Sequence, residues 1–299
     1  MTSTTTATSP IPGAEARILE VPGATLTYDV RRSEATSEPP LMLIGSPMGA
    51  GGFPSLASHF PERTIVSYDP RGNGERSRVH DPSARITAEV QADDVHLIIE
   101  EVGGPVDLFA SSGGAIVALA LVAKYPKDVR TLVAHEPPLA SLVPDREHAL
   151  AASRAINATY QRSGSNAGMA HFIAVVSHSG PFTAEDAAAP PPDPATFGMP
   201  SEDDGKRDDL MLGHSVLWLT TYEPDFDALK RAPTRVVIGI GDTSNGELAQ
   251  RGGEAAAERL GIGVTRFPGG HGGFLGGEYG QTGEPEAFAA RLREVLTAS

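Results

Sequence analysis

Apolar and polar residues alternate over residues 24–30, and residues 16–21 mix them on the other side of Pro22-Gly23. A period of two beside such a dipeptide predicts a hairpin of two strands. After a Ser/Glu/Pro-rich loop the pattern changes. Leu41–Ile44 is a continuous apolar run, the mark of a strand buried on both faces. Thr64–Tyr68 reads as the next strand. From Thr87 to about Val102 the apolar positions take helical spacing, with Val90, Leu97 and Ile98 on one face and Thr87 placed as the cap. Gly103-Gly104-Pro105 ends that helix. A strand from Val106 then runs through Ser111-Ser112-Gly113-Gly114 into a helix of small residues that stops at Tyr125, before Pro126. Arg130–Ala134 is a further strand, closing on His135-Glu136-Pro137-Pro138. Strand–helix–strand repeats of this length predict an α/β fold with a mostly parallel sheet covered on both sides.

From Ser141 to about Lys230 no strand pattern occurs. Helical segments are predicted near 145–160, 166–177 and 208–222, separated by the Ala/Pro-rich loop 187–194. Met169, Phe172, Ile173 and Val176 form one face of the middle segment. The sheet pattern then returns, with a strand over Arg235–Ile240, a helix from about Glu247 to Leu260, a strand over Val264–Phe267 and a last helix opened by Pro285. These readings divide the chain into a core domain (14–140 and 231–299), a helical cap (141–230) and a disordered Thr/Ser/Pro-rich tail (1–13).

Composition narrows this picture only a little. The 299 residues are 40% hydrophobic and 21% charged, as in soluble globular proteins. A formal charge of −14 argues against nucleic acid or an anionic membrane as partner. There is no cysteine, which excludes disulfides, thiolate catalysis and cysteine-ligated metals. The first residues have neither the basic start nor the apolar run of a secretory signal. No uncharged apolar stretch approaches the ~20 residues of a membrane helix. The cytoplasm is therefore the expected location.

The candidate chemistry centres on residues 106–119. Ala110-Ser111-Ser112-Gly113-Gly114 is a near match to the Gly-x-Ser-x-Gly nucleophile elbow, in which a strained strand-to-helix turn exposes a serine. Strand and helix come so close there that the positions two before and two after the serine must be small. Ser112 meets this with Ala110 and Gly114, whereas Ser111 would place Phe109 in one of those positions. Ser112 is the expected nucleophile, although the same residues also suit a helix cap on a sheet. A serine nucleophile needs a base, and the base an orienting acid. His271 stands in the Gly-rich loop 268–273 directly after a strand, and is the expected base. His59, His80, His96, His148, His171 and His178 fall in loops or helical patterns and read as ordinary histidines. Asp242 ends the strand before the His271 strand, and the order Ser112, Asp242, His271 fits the elbow pattern. Asp242 is preferred as the acid, with Glu136 its rival at the end of the strand after the elbow helix. The Gly-rich loop 45–52 lacks the ending of a phosphate loop. Because Pro47 has no N–H, the Ser46 amide is its expected oxyanion donor.

The segments 41–47, 68–77, 110–114, 233–242 and 267–271 together resemble the α/β-hydrolase fold superfamily, in its capped serine-hydrolase form. The chain departs from the usual pattern at Ile44, where a histidine is common, and at Ala110, where a glycine is. The resemblance implies that Ser112 attacks a carbonyl, that His271 moves the proton, and that the Gly113 and Ser46 amides hold the oxyanion. Some relatives carry the acid at the strand matching Thr131–Glu136. Relatives that open epoxides or displace halide use an aspartate nucleophile, so Ser112 argues against both reactions. The implied function is hydrolysis of an ester, lactone or related acyl bond of a small, apolar substrate. The alternatives are a non-catalytic ligand-binding member of the fold, or non-hydrolytic chemistry such as perhydrolysis, cyclisation or elimination. The cap residues Phe172, Leu217, Trp218 and Tyr222 suggest an apolar or aromatic group on the substrate. Met48, His214 and Trp218 are candidate substrate contacts. No metal-ligand spacing is present, and no cofactor is expected.

Overall fold

The structure, a computed structural model, describes residues 8–35, 37–72 and 76–298. In chain order the strands are β1 (Glu15–Val21), β2 (Ala24–Arg31), β3 (Leu41–Ser46), β4 (Ile65–Tyr68), β5 (Arg78–Val79), β6 (Val106–Ser112), β7 (Val129–His135), β8 (Arg235–Gly241) and β9 (Val264–Phe267). The helices are α1 (Pro54–Ser58), α2 (Ala88–Val102), α3 (Gly113–Lys124), α4 (Arg146–Val176), α5 (Ala184–Ala188), α6 (Val216–Thr220), α7 (Phe226–Arg231), α8 (Leu248–Leu260) and α9 (Pro285–Thr297). The sheet runs β1-β2-β4-β3-β6-β7-β8-β9, with β5 on β2. It is parallel from β4 through β9 and antiparallel at the hairpin edge.

The central strands alternate between two cores, as a side-chain period of two requires. Met42, Ile44, Leu108, Ala110, Leu132 and Ala134 face α2 and α3. Leu41, Leu43, Phe109, Val133 and Phe267 face α1 and α9. Helix α3 is buried on every side from Gly113 to Val122, and its small residues let it lie close to the sheet. Gly114 shows how close: a Cβ there would stand 2.7 Å from the Gly45 Cα. Thr87 caps α2 as expected, its hydroxyl accepting the Val90 amide at 3.3 Å. Asp107, inside the apolar elbow strand, is fully buried and paired with Arg63 at 2.8 Å and Arg130 at 2.6 Å. Two guanidinium groups offset the desolvation of that carboxylate.

Between residues 141 and 230 the named elements are all helical, and Val143, Ile156, Tyr160, Val175, Met211 and Val216 form an apolar cluster with Ala140 and Leu248. The two segments expected at 145–160 and 166–177 are one 31-residue stretch, α4, turned at Gly164, where φ is 84°. A left-handed glycine lets the chain bend there without a loop. The segment expected at 208–222 begins as a wide helical turn, Met211–Ser215, before α6.

The amino-terminal expectation needs correction. Residues 1–7 lie outside the described residues, but residue 11 does not belong to a loose tail. Ile11 is 1% exposed and packs in the core beneath α1 and α9, burying an apolar side chain within a stretch made mostly of Thr, Ser and Pro. Residues 73–75 of the 68–77 segment also lie outside the described residues. Among those described, no helix is long and apolar enough to cross a membrane.

Because the atoms facing Gly114 are backbone, they have little freedom to yield. Gly114→Ala is expected to destabilise the fold by about 1–3 kcal/mol, read as a lower urea midpoint. An unchanged midpoint would contradict the close approach of α3 to β3.

Candidate active site

Parallel pairing brings several strand ends to one rim. Ser46 of β3 stands opposite Ser112 of β6, Ser111 opposite His135 of β7, and His135 opposite Gly239 of β8. Carboxyl ends of parallel strands are where open α/β sheets place their sites. Ser112 has φ 57° and ψ −128°, a strained backbone for a residue with a side chain. The strain swings its side chain out of the sheet, so Ser112 is partly exposed while Ser111 is buried. Phe109 points into the opposite core, against Phe274 and Phe288 at ring distances of 5.4 Å each. Ala110 and Gly114 flank Ser112, as the elbow geometry demands.

Glu136 also has a left-handed backbone, φ 51°. Its carboxylate is fully buried yet fully bonded. Oε2 lies 2.6 Å from Nδ1 of His271, while Oε1 accepts the Gly241 amide at 2.8 Å and the Ser244 hydroxyl at 2.5 Å. Burial alone would raise its pKa. The His271 hydrogen bond, the charges of His135 and His271 and the Ser244 bond outweigh that and bring it down to about 2. An ionised carboxylate only accepts, so an imidazole proton sits on Nδ1, and in the neutral ring Nε2 is then the acceptor. His271 lines the cavity in front of Ser112, in a loop packed on Gly241, where a Cβ would stand 2.7 Å from Gly269 O.

The preference for Asp242 is not met by this geometry. Asp242 is exposed, and no hydrogen bond reaches its carboxylate among the described residues. The chain turns outward after Gly241, so only the Asp242 amide faces inward, donating to Phe267 O at 2.9 Å. Glu136 holds the imidazole instead. Behind it lies His135, fully buried among Phe109, Phe267, Phe274 and Phe288. Among the described residues neither ring nitrogen of His135 has a hydrogen-bond partner, and burial pushes its pKa down to about 4.

Two cavities open from Ser112, one of about 980 Å³ and one of about 370 Å³. Ser46, Pro47, Ser112, Phe172, Val176 and His271 border both. Met48 lines the larger, as do Thr8, Ser9 and Pro10 from the amino-terminal segment. Gly113 lines only the smaller of the two. His214 and Trp218 line neither, contrary to expectation; Trp218 stacks under Arg85, whose guanidinium is 4.9 Å from the ring. The face of this segment turned to the smaller cavity is instead Met211, Ser215, Val216, Leu219 and Thr220. Leu217 and Tyr222 also stay off both walls, whereas Phe172 stands on both. Sequence reasoning missed Ser244, whose hydroxyl has no motif, and the wall residues at 8–10. Among the described residues no group of three His, Cys, Asp or Glu side chains is placed to hold a metal ion.

The alpha/beta hydrolase family model matches residues 41–291. The chain belongs to the alpha/beta hydrolase family. It is 25% identical over 285 residues to an uncharacterized hydrolase, YraK, of Bacillus subtilis (strain 168), covering 93% of this chain and 94% of that protein. Among solved structures it resembles a thermophilic esterase from Thermogutta terrifontis with malate bound, at a TM-score of 0.64 and 20% identity, covering 95% of this chain and 98% of that one. It also resembles carboxylesterase CesB from Bacillus subtilis, at a TM-score of 0.62 and 15% identity, covering 97% and 94% of the two chains. At these identities the structures establish a shared fold.

Glu136 links the site to acid stability. Its pKa in the fold, about 2, lies below the ordinary 4.5. It therefore contributes stability that is complete above pH 4.5 and is lost as the pH falls through 2. Urea titrations of wild type and Glu136→Gln should show a stability difference that shrinks across this window. A difference that stays constant would contradict the depressed pKa.

Proposed function

We propose that this protein is a serine hydrolase that cleaves an ester, lactone or related acyl bond of a small molecule through an acyl-enzyme on Ser112. The observation that carries this reading is the Glu136–His271 pair on the same rim as a strained, partly exposed serine. A serine hydroxyl is a poor nucleophile until a base stands ready to take its proton. In this reading the Ser112 Oγ forms a bond to the substrate carbonyl carbon as its proton passes to Nε2 of His271. The negative charge that gathers on the carbonyl oxygen is taken by the amides of Gly113 and Ser46. Collapse of the tetrahedral intermediate breaks the bond to the leaving group, which departs with the proton from Nε2. Water then repeats the sequence on the acyl-enzyme, releasing the acid and restoring Ser112.

Glu136 does not take the proton. It holds Nδ1–H, fixes the tautomer and stabilises the imidazolium that forms. The three hydrogen bonds to its carboxylate keep it ionised in a buried place, which that role requires. Apolar walls from Phe172, Val176, Met48 and Leu275 favour substrates with apolar groups on both sides of the scissile bond.

Ser112→Ala is expected to fold normally and to lose roughly six orders of magnitude in turnover of a cognate ester. A serine-directed fluorophosphonate should label wild type at Ser112 and leave the variant unlabelled. Equal turnover by the two would end the proposal, and absence of labelling in wild type would favour a protein that only binds. Glu136→Gln should depress kcat by orders of magnitude while Asp242→Asn changes it little. The opposite ranking would return the acid role to Asp242.

A further inference from the structure

The smaller cavity is walled chiefly by apolar cap residues such as Ile156, Ile173, Met211 and Leu219. Among the described residues its ionisable lining groups are His271 and Glu247. Glu247 stands just before α8, at the end of the loop that carries Ser244. Its side chain is half-buried, and among the described residues no hydrogen bond or ion pair reaches its carboxylate. Burial raises its pKa; the His271 ring opposes that rise and the Glu136 charge adds to it.

Elsewhere among the described residues each buried aspartate has a guanidinium, and buried Glu136 has the His271 imidazole. Asp107 has Arg63 and Arg130, Asp94 has Arg71, and Asp69, on the wall of the larger cavity, has Arg76. Nor do the neighbouring hydroxyls serve Glu247. Ser153 donates to Ala149 O at 3.0 Å and Thr220 to Val216 O at 2.8 Å. A carboxylate drawn into an apolar chamber without a donor carries an unmet cost, which a ligand supplying the donor would relieve. The part of the substrate that reaches it is the acyl group. Gly113, whose amide faces the carbonyl oxygen in the mechanism above, borders this chamber and not the larger one.

We propose that Glu247 selects substrates whose acyl part carries an ammonium group, which its carboxylate binds within the smaller chamber. The proposal rests on the serine-hydrolase reading for the direction of the acyl group. It identifies the substrate class as esters of amino acids or of similar amine-bearing acids, with the bulkier alcohol in the larger chamber.

The test compares the benzyl esters of β-alanine and butanoic acid, which differ in an ammonium against a methyl group. Wild type is expected to favour the β-alanine ester in kcat/KM, and Glu247→Gln to lower that preference by roughly tenfold to a hundredfold. A wild-type ratio near unity, or a preference that Glu247→Gln leaves unchanged, would overturn the assignment. So would equal losses on both esters, since Glu247 would then act through the imidazole. Failure of the hydrolase reading would show separately, as absence of fluorophosphonate labelling at Ser112. Calorimetric binding of the two esters to Ser112→Ala, with and without Glu247→Gln, decides the ammonium preference without any turnover. Preferential binding of the β-alanine ester that is lost with Glu247→Gln supports it, and equal binding overturns it.

Discussion

One buried carboxylate ties this rim together. Glu136 reaches sideways from the end of β7, takes the amide of the last residue of β8 and a hydroxyl from the loop that follows it, and takes the imidazole N–H from the loop after β9. Three separate stretches of backbone are thereby fixed to one another by two oxygen atoms. The same bonds that keep the carboxylate ionised also hold the imidazole, so electrostatics and geometry at this site are not separable. The left-handed backbone at Glu136 is part of the arrangement, because it turns the side chain across β8 rather than into the core.

Close packing supplies the rest. Ser112 can adopt its strained conformation because α3 lies against β3 with glycine on both sides of the contact, Gly45 and Gly114. A helix this apolar on all faces has nowhere to go but the interior, and its burial against the sheet stabilises a turn that would otherwise relax. The strain at Ser112 is thus maintained by the core beneath it.

Central strands were legible in the sequence because burial on both faces leaves an apolar run, as at Leu41–Ile44 and over residues 236–240. The exposed turn at Ser112 was legible for a local reason, the need for small residues two positions either side. The carboxylate that meets the His271 imidazole was not. Asp242 and Glu136 both follow strands, and chain order suits either; what separates them is direction. The turn after Gly241 sends Asp242 to solvent, whereas the longer Glu136 side chain spans from one strand end past the next. Sequence patterning shows neither direction. The cap poses a similar problem: apolar residues occupy two adjacent faces of 210–222, and spacing alone does not say which one meets the cavity. The face bearing Met211, Ser215 and Leu219 does, leaving His214 and Trp218 on the other. Ile11 escaped notice because a single apolar residue in a polar stretch has no period.

The larger cavity draws its wall from distant parts of the chain: Thr8–Pro10 near the start, Phe172 and Val176 from the middle, and Phe274 through Gln281 near the end. Such a wall exists only once these distant segments have packed together. A chain caught halfway through folding would have no chamber to offer, and a molecule lodged there would reinforce the entire domain rather than one region of it.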